Sequence, residues 1–404
     1  MTEERVVIVG ASLAAASVAE TLRAQGFEGP ITMIGEEPYL PYERPPLSKE
    51  ILAGTKTIDD AYVRPASFYE DGSIDVRVGR VDRVDVSRRR VRLASGDAEP
   101  FDRLVIATGG RPRRPRIPGI DLEGVYTLRT IDDARAIREA ARSGRRVVVV
   151  GLGFIGSEVA SSLRQRGLEV SAIDAGPAPL AGPLGPGIAG LVERMHRDQG
   201  VELVLGQTVD RFVGTGSVEA VVTSGGRVID GDVVVVGLGM EPNVELVHDT
   251  PIEVANGILV DEFGRTSVDG IHAVGDVANH WHPIARRRLR VEHWNNAVKQ
   301  GRAVARDIVG SGKPYDEVHS FWTVLYGEEI EYYGLHEPWD DVVVRGDLAA
   351  HDFTAICRKD GRVVAVIGMG RPHEMRQLKH LIADRAELPA EWVPRDGPLA
   401  GVGT

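Results

Sequence analysis

Gly151, Gly153 and Gly156 stand at G-x-G-x-x-G spacing, and Asp174 closes the apolar run after them. This set suits a dinucleotide. The first glycine makes a tight turn, the second lets the backbone approach a pyrophosphate, and the third lets the helix pack closely on the strand. N–H groups at the helix start then face the phosphate charge. Asp174 is placed to accept hydrogen bonds from an adenosine ribose. Glycine loops are common, so the elements around the motif must decide. Residues 147–150 are a continuous valine run, as in a strand buried on both faces. A helical stretch follows Gly156, and residues 169–173 form a second strand. Strand, glycine turn, helix, strand and terminal acid together read as a dinucleotide-binding βαβ unit.

Residues 5–36 repeat the pattern with smaller marks. A strand at 6–9 runs into Gly10, Ser12 and Ala15, then a helix, then a strand at 31–34 ending before Glu36. Ser12 and Ala15 replace two glycines but are small enough for close approach. Taken alone, this segment is also compatible with an ordinary βαβ unit. The segments after each copy favour the repeat. Residues 76–86 and 90–93 read as a small antiparallel meander, then comes a buried strand, 101–110, ending in glycines, with Thr108 and Gly109 as candidate cofactor contacts. Residues 201–222 and 227–229 read the same way, and 232–239 then ends at Gly239. Two copies of βαβ, meander, strand and glycine imply two dinucleotide sites, most simply for a flavin and a nicotinamide.

The Pro- and Arg-rich stretch 111–118 reads as a linker, and the turn 241–243 as a return crossing. Residues 270–277 give a short strand with Asp276 at its end, before a helix over 295–309. A carboxylate in that place can also serve as a helix cap. From about Tyr315 the pattern changes to antiparallel strands at 329–334, 341–344 and 353–369, with a hairpin turn at Lys359, Asp360 and Gly361. Residues 373–385 have helical spacing, with Met375, Leu378, Leu381 and Ile382 on one face. The last dozen residues, rich in Gly and Pro, are expected to be loose. The expected fold is α/β, with two Rossmann-like domains and a C-terminal α+β domain. The first Rossmann-like domain comprises 1–113 and 242–314, the second 114–241, and the α+β domain 315–404.

At 404 residues the chain is too long for one ordinary core. Its net charge of −11 argues against general nucleic-acid binding but allows a local basic patch. No apolar run approaches the ~20 residues of a membrane-spanning helix. The N-terminus enters a strand almost at once, so no signal peptide is expected. The only cysteine, Cys357, rules out an intrachain disulfide, a C-x-x-C pair or a cysteine-rich metal site. No metal site is expected, and a reducing cytoplasm is the default compartment. Cys357 reads as a small buried apolar residue on a strand.

Six segments carry a resemblance. They are PYERPPLSKE (41–50), LVIATGGRPR (104–113), GFIGSEVA (153–160), GDVA (275–278), RVEHWNNA (290–297) and the pair Phe321-Trp322. Together they resemble the two-dinucleotide flavoproteins of the pyridine nucleotide-disulfide reductase superfamily. More narrowly, they look like the ferredoxin reductases that serve oxygenases, as in putidaredoxin, rhodocoxin and biphenyl dioxygenase systems. The resemblance implies FAD and NADH as cofactors. It implies that Arg44 and Lys49 lie along the flavin, that Glu158 pairs with Lys49, and that Asp276 holds the ribityl chain. It also implies that Glu292 and Trp294 lie beside the flavin and that Trp322 packs against its ring system. A lysine there can stabilise charge that develops as a hydride arrives. Lys49, Glu158 and Trp322 are therefore the expected catalytic set. The family often continues Phe-Trp with Ser-Asp-Gln, whereas this chain has Thr323, Val324 and Leu325. The cysteines that disulfide, peroxide or coenzyme-A-disulfide chemistry needs near the flavin are absent.

The implied activity is NADH:ferredoxin oxidoreduction, with single electrons passed to a small, acidic iron–sulfur ferredoxin that feeds a haem-thiolate or Rieske oxygenase. Other acceptors, such as oxygen, a quinone or rubredoxin, share every motif. A redox-responsive NADH-binding flavoprotein resembling apoptosis-inducing factor is a second alternative. Arg286, Arg287, Arg288 and Arg290 form a basic cluster next to Glu292 and Trp294, and read as a docking patch for an acidic partner.

Overall fold

The computed structural model describes residues 4–142 and 144–392, so the C-terminal segment expected to be loose lies outside the described residues. The chain divides into two compact units. The first comprises Met1–Glu43, Asp59–Arg111 and Glu241–Glu317, and the second comprises Arg44–Ile58, Pro112–Met240 and Val318–Thr404.

The first unit is built on a five-stranded parallel sheet. Val6–Val9 lies at its centre, Ile31–Gly35 and Ile74–Val78 to one side, Arg103–Ile106 and Ile271–Ala273 to the other. Val6, Val7 and Ile8 are fully buried, and each such side chain contributes ~1.5–3 kcal/mol relative to an exposed one. Helices Leu13–Ala24 and Trp294–Ile308 pack against each other through small residues. A Cβ at Gly301 would stand 2.8 Å from the Ala14 carbonyl oxygen, so glycine sets how closely the helices approach. A meander of Val81–Asp85, Arg90–Leu93 and Ala98–Pro100 and a second small sheet complete the unit.

In the second unit the parallel sheet runs Glu202–Leu205, Glu169–Asp174, Arg146–Val150, Val233–Val236, Val125–Tyr126, with the glycine-turn strand again central. Its meander is Val209–Val213, Ala220–Thr223 and Val228–Asp230. The unit also holds an antiparallel sheet ordered His319–Leu325, Glu328–Gly334, Arg362–Met369, Asp352–Lys359, Asp341–Asp347. Helix Pro372–Ala383 covers it with Met375, Leu378 and Ile382, while Leu381 is only half-buried. Helix Ala181–Asp198 shares this sheet's core through Leu184, Ile188 and Met195. It is broken at Gly185, whose φ of 72° precedes Pro186.

The structure corrects several expectations. Residues 76–78 and 202–205 are not meander. They belong to parallel edge strands, cut from the neighbouring meander at Gly79 and Gly206. The same correction applies to both copies, so the repeat is deeper than the sequence pattern showed. Asp276 does not cap the helix at 294–308. Its cap position is His293, and the hairpin Ala278–His282 with Arg287–Arg290 intervenes. That hairpin contains much of the arginine cluster. Strand His319–Leu325 had no predicted counterpart, because its tight turn is Tyr326-Gly327, at φ 57° and 89°. Tyrosine carries no turn signal, whereas Asp360-Gly361 has the expected type I′ composition.

Candidate functional site

In the first unit the expected ligand-binding residues gather at the C-terminal ends of the parallel strands. Gly10 leaves the first strand at φ 116°, and a Cβ there would stand 2.3 Å from the Ala107 carbonyl oxygen. Ala15, by contrast, is fully buried without conflict, so this copy tolerates alanine where the other needs its third glycine. Helix Leu13–Ala24 starts at Ser12 with no side-chain cap and no acid in its first turn. Thr108 and Gly109 are clamped by Asn243. Thr108 Oγ1 donates to the Asn243 carbonyl at 2.8 Å, Asn243 Nδ2 donates back at 3.0 Å, and the Asn243 N–H donates to Gly109 at 3.0 Å. Read from sequence, Asn243 is no more than a turn residue.

Asp276 lies in a one-turn 3-10 helix, Gly275–Val277, packed beside Ala14. Buried Gln300 accepts the Gly275 N–H at 2.7 Å and fixes this turn. Arg290 donates to the Asp276 carbonyl at 3.1 Å and to Glu292 at 2.5 Å. Trp294 opens the next helix. Glu36 sits just past the second strand, exposed, with Arg80 at 3.7 Å.

In the second unit Gly151 turns at φ 91°, and a Cβ on Gly156 would lie 1.8 Å from the Gly151 carbonyl oxygen. The third glycine is therefore required by the turn itself as much as by the strand. A Cβ on Gly153 would meet nothing within 4 Å. Open space thus lies beside the start of helix Phe154–Gln165, which has no side-chain cap and no first-turn acid. Asp174 Oδ2 accepts the Leu152 N–H at 2.5 Å and Oδ1 the Gly176 N–H at 2.6 Å. Gly239 follows the fourth strand at φ 89°, and its carbonyl accepts the Arg113 N–H. Both helix starts leave backbone donors for an anion, the chemistry a pyrophosphate-bearing cofactor needs.

Lys49 and Glu158 meet. Lys49 Nζ is 2.8 Å from Glu158 Oε2, with side chains only 12% and 4% exposed, so this is not a surface pair. Ser48 Oγ donates to the same oxygen at 2.5 Å, and Thr323 Oγ1 donates to Oε1 at 2.8 Å. Arg44 donates to the Arg129 carbonyl at 2.6 Å. Trp322 is half-buried on the strand next to Thr323 and faces the opposite way. Sequence reasoning passed over Ser48, Asn243, Gln300 and Thr323. Thr323 was visible only as a departure from the family pattern.

The profile of the pyridine nucleotide-disulphide oxidoreductase family matches residues 4–301. The chain belongs to that family. A reductase C-terminal domain profile matches residues 320–395 of this oxidoreductase. It is 36% identical over 388 residues to rhodocoxin reductase of Rhodococcus erythropolis, covering 96% of this chain and 91% of that one. It is 37% identical over 396 residues to putidaredoxin reductase of Pseudomonas putida, at 96% and 93% coverage. The structure of a covalent putidaredoxin reductase–putidaredoxin complex superposes with a TM-score of 0.94 at 34% identity, covering 98% of this chain and 97% of that one.

The oxidoreductase departs from its family name in one respect. Its single thiol, Cys357, is buried in the C-terminal sheet, and burial pushes that thiol up, so it stays protonated. The Thr-Val-Leu departure also has a structural account. Thr323 keeps the hydroxyl of the family's serine, and Leu325 is fully buried in the core shared with helix Ala181–Asp198. No helix among the described residues is long and apolar enough to cross a membrane.

Proposed function

We propose that the protein is an FAD-dependent NADH:ferredoxin oxidoreductase supplying an oxygenase. One NADH and two oxidised ferredoxins give NAD+, two reduced ferredoxins and one proton. Bound FAD supplies the conversion between a hydride donor and one-electron acceptors. The supporting observation is the pair of βαβ turns with uncapped, acid-free helix starts, in a chain matched over its length by ferredoxin reductases.

In this reading residues 1–113 and 242–314 form the FAD-binding domain, 114–241 the NAD-binding domain and 315–404 the C-terminal domain. Gly10, Ser12 and Ala15 shape the turn that receives the FAD pyrophosphate, and Glu36 binds the adenosine ribose. Thr108, Gly109, Asp276, Glu292 and Trp294 hold the rest of the cofactor. Gly151, Gly153, Gly156 and Gly239 receive NADH, and Asp174 binds its ribose and repels a 2′-phosphate. Lys49 provides positive charge where negative charge arrives with the hydride, Glu158 keeps that ammonium in place, and Arg44 and Trp322 border the flavin. A chain with one buried cysteine suits a reducing cytoplasm. The test is an acceptor panel. A small [2Fe–2S] ferredoxin should be reduced at the expense of NADH far faster than oxygen or a quinone, and preference for either of those would contradict the proposal.

A further inference from the structure

We infer that Thr323 is a positioning residue for hydride transfer, holding the Glu158 carboxylate in the orientation in which it grips Lys49. The inference rests on the assignment of Lys49 and Glu158 to the reaction. Lys49 and Ser48 both donate to Oε2 of Glu158, at 2.8 and 2.5 Å, and the donor to Oε1 is Thr323 at 2.8 Å. The terminal torsion of a glutamate is soft, so a carboxylate held at one oxygen can turn. Bonds at both oxygens stop that rotation. Lys49 has a competing acceptor, the Pro45 carbonyl at 3.1 Å, toward which its ammonium can shift once the carboxylate moves.

Thr323 is itself a fixed point. It is fully buried, its β-branched side chain is restricted at χ1, and its strand pairs Thr323 with Ile330. The turn ending that strand is fastened to the helix of Glu158, because the Tyr326 N–H donates to Ser161 Oγ at 2.8 Å, one turn further along. Ser162 Oγ donates to the Ser48 carbonyl at 2.7 Å and secures the lysine segment to the same helix. The strand carrying Trp322 and the segment carrying Lys49 therefore share one anchor, the helix whose start forms the glycine turn.

The test compares wild type with Thr323→Val, Thr323→Ser and Lys49→Met as flavin-loaded proteins. Anaerobic stopped-flow gives the limiting rate of flavin reduction and the NADH dissociation constant. Redox titration gives the midpoint potential of the bound flavin. Thr323→Val should lower the limiting rate about tenfold with the dissociation constant unchanged, since the lost contact acts on the chemical step. Its midpoint potential should move negative, because a loosely held ammonium stabilises the incoming charge less. Thr323→Ser should restore both. If Thr323→Val does not retain flavin, Thr323→Cys, which drops the γ-methyl and puts a weaker donor in place of the hydroxyl, should give an intermediate rate and potential. A slow Lys49→Met beside a Thr323→Val with wild-type rate and potential would overturn the inference alone. A wild-type rate in Lys49→Met would overturn the assignment of Lys49 and the inference with it.

Discussion

Asp174 reaches back across its own βαβ unit to accept the Leu152 N–H at 2.5 Å, inside the turn between Gly151 and Gly153. The carboxylate expected to bind ribose thus also braces the turn expected to bind pyrophosphate. Asp174→Ala should lower kcat/KM for NADH roughly 10- to 100-fold, the equivalent of one charged hydrogen bond of ~1.5–3 kcal/mol, and should also lower the melting temperature. Asp174→Asn keeps one of the two acceptor oxygens and should fall between wild type and Asp174→Ala in thermal stability. The wild-type enzyme should prefer NADH, since no arginine neighbours Asp174 to receive a 2′-phosphate. Equal kcat/KM with NADPH would refute this.

Asp276 sits on a turn whose backbone is held by Gln300 and Arg290. Asp276→Ala should weaken FAD binding about 10- to 100-fold. Fluorescence titration of flavin into the apoprotein reads the affinity directly. Retention at wild-type affinity would remove Asp276 from the site.

The two βαβ units were legible because their strands are continuous apolar runs and their turns need small residues at fixed offsets. Lys49, Glu158 and Trp322 carry no such periodicity, and only the resemblance singled them out. Edge strands 74–78 and 202–205 were misassigned because half-exposed alternation looks the same in parallel and antiparallel edges. Thr323 was illegible as a partner of Glu158, since a hydrogen bond across 165 positions leaves no local spacing to read.

Acid should destabilise the protein in two windows. Burial pushes His196 down to about 4, so between pH 6.5 and 4 the unfolded state takes up a proton that the folded state refuses. Stability falls as pH drops through that range, by up to ~3 kcal/mol at 1.36 kcal/mol per unit. Burial alone would raise Asp307, but hydrogen bonds from His272 and Arg265 and the charge of Arg265 outweigh it and hold the carboxyl at about 2. Its contribution is present above pH 3.8 and lost on the way to pH 2. His196→Asn should shrink the upper window, to which His282, also pushed down by burial, still contributes, and leave the lower one, as read from melting temperature against pH.

Cys357→Ser should leave flavin reduction by NADH unchanged, because the thiol is buried and held protonated. Abolished reduction would show that a thiol takes part after all.

The arginine cluster divides in the structure. Arg288 donates to the Val260 and Asn279 carbonyls, and Arg290 to that of Asp276, so both brace the hairpin. Arg286 and Arg287 are exposed, close to the exposed Trp281 in the same hairpin. Reversing Arg286 and Arg287 to Glu should slow reduction of an acidic ferredoxin and flatten its salt dependence, without affecting flavin reduction. A wild-type rate of ferredoxin reduction at low salt would move the docking surface elsewhere.

The most direct measurement mixes the yellow, FAD-loaded protein anaerobically with NADH and a small [2Fe–2S] ferredoxin, monitoring the flavin and iron–sulfur absorbances together. The expected result is rapid bleaching of the flavin by NADH, then two reduced ferredoxins for each NADH consumed. A protein that binds no flavin, or one whose flavin NADH bleaches while the ferredoxin stays oxidised, would contradict the account.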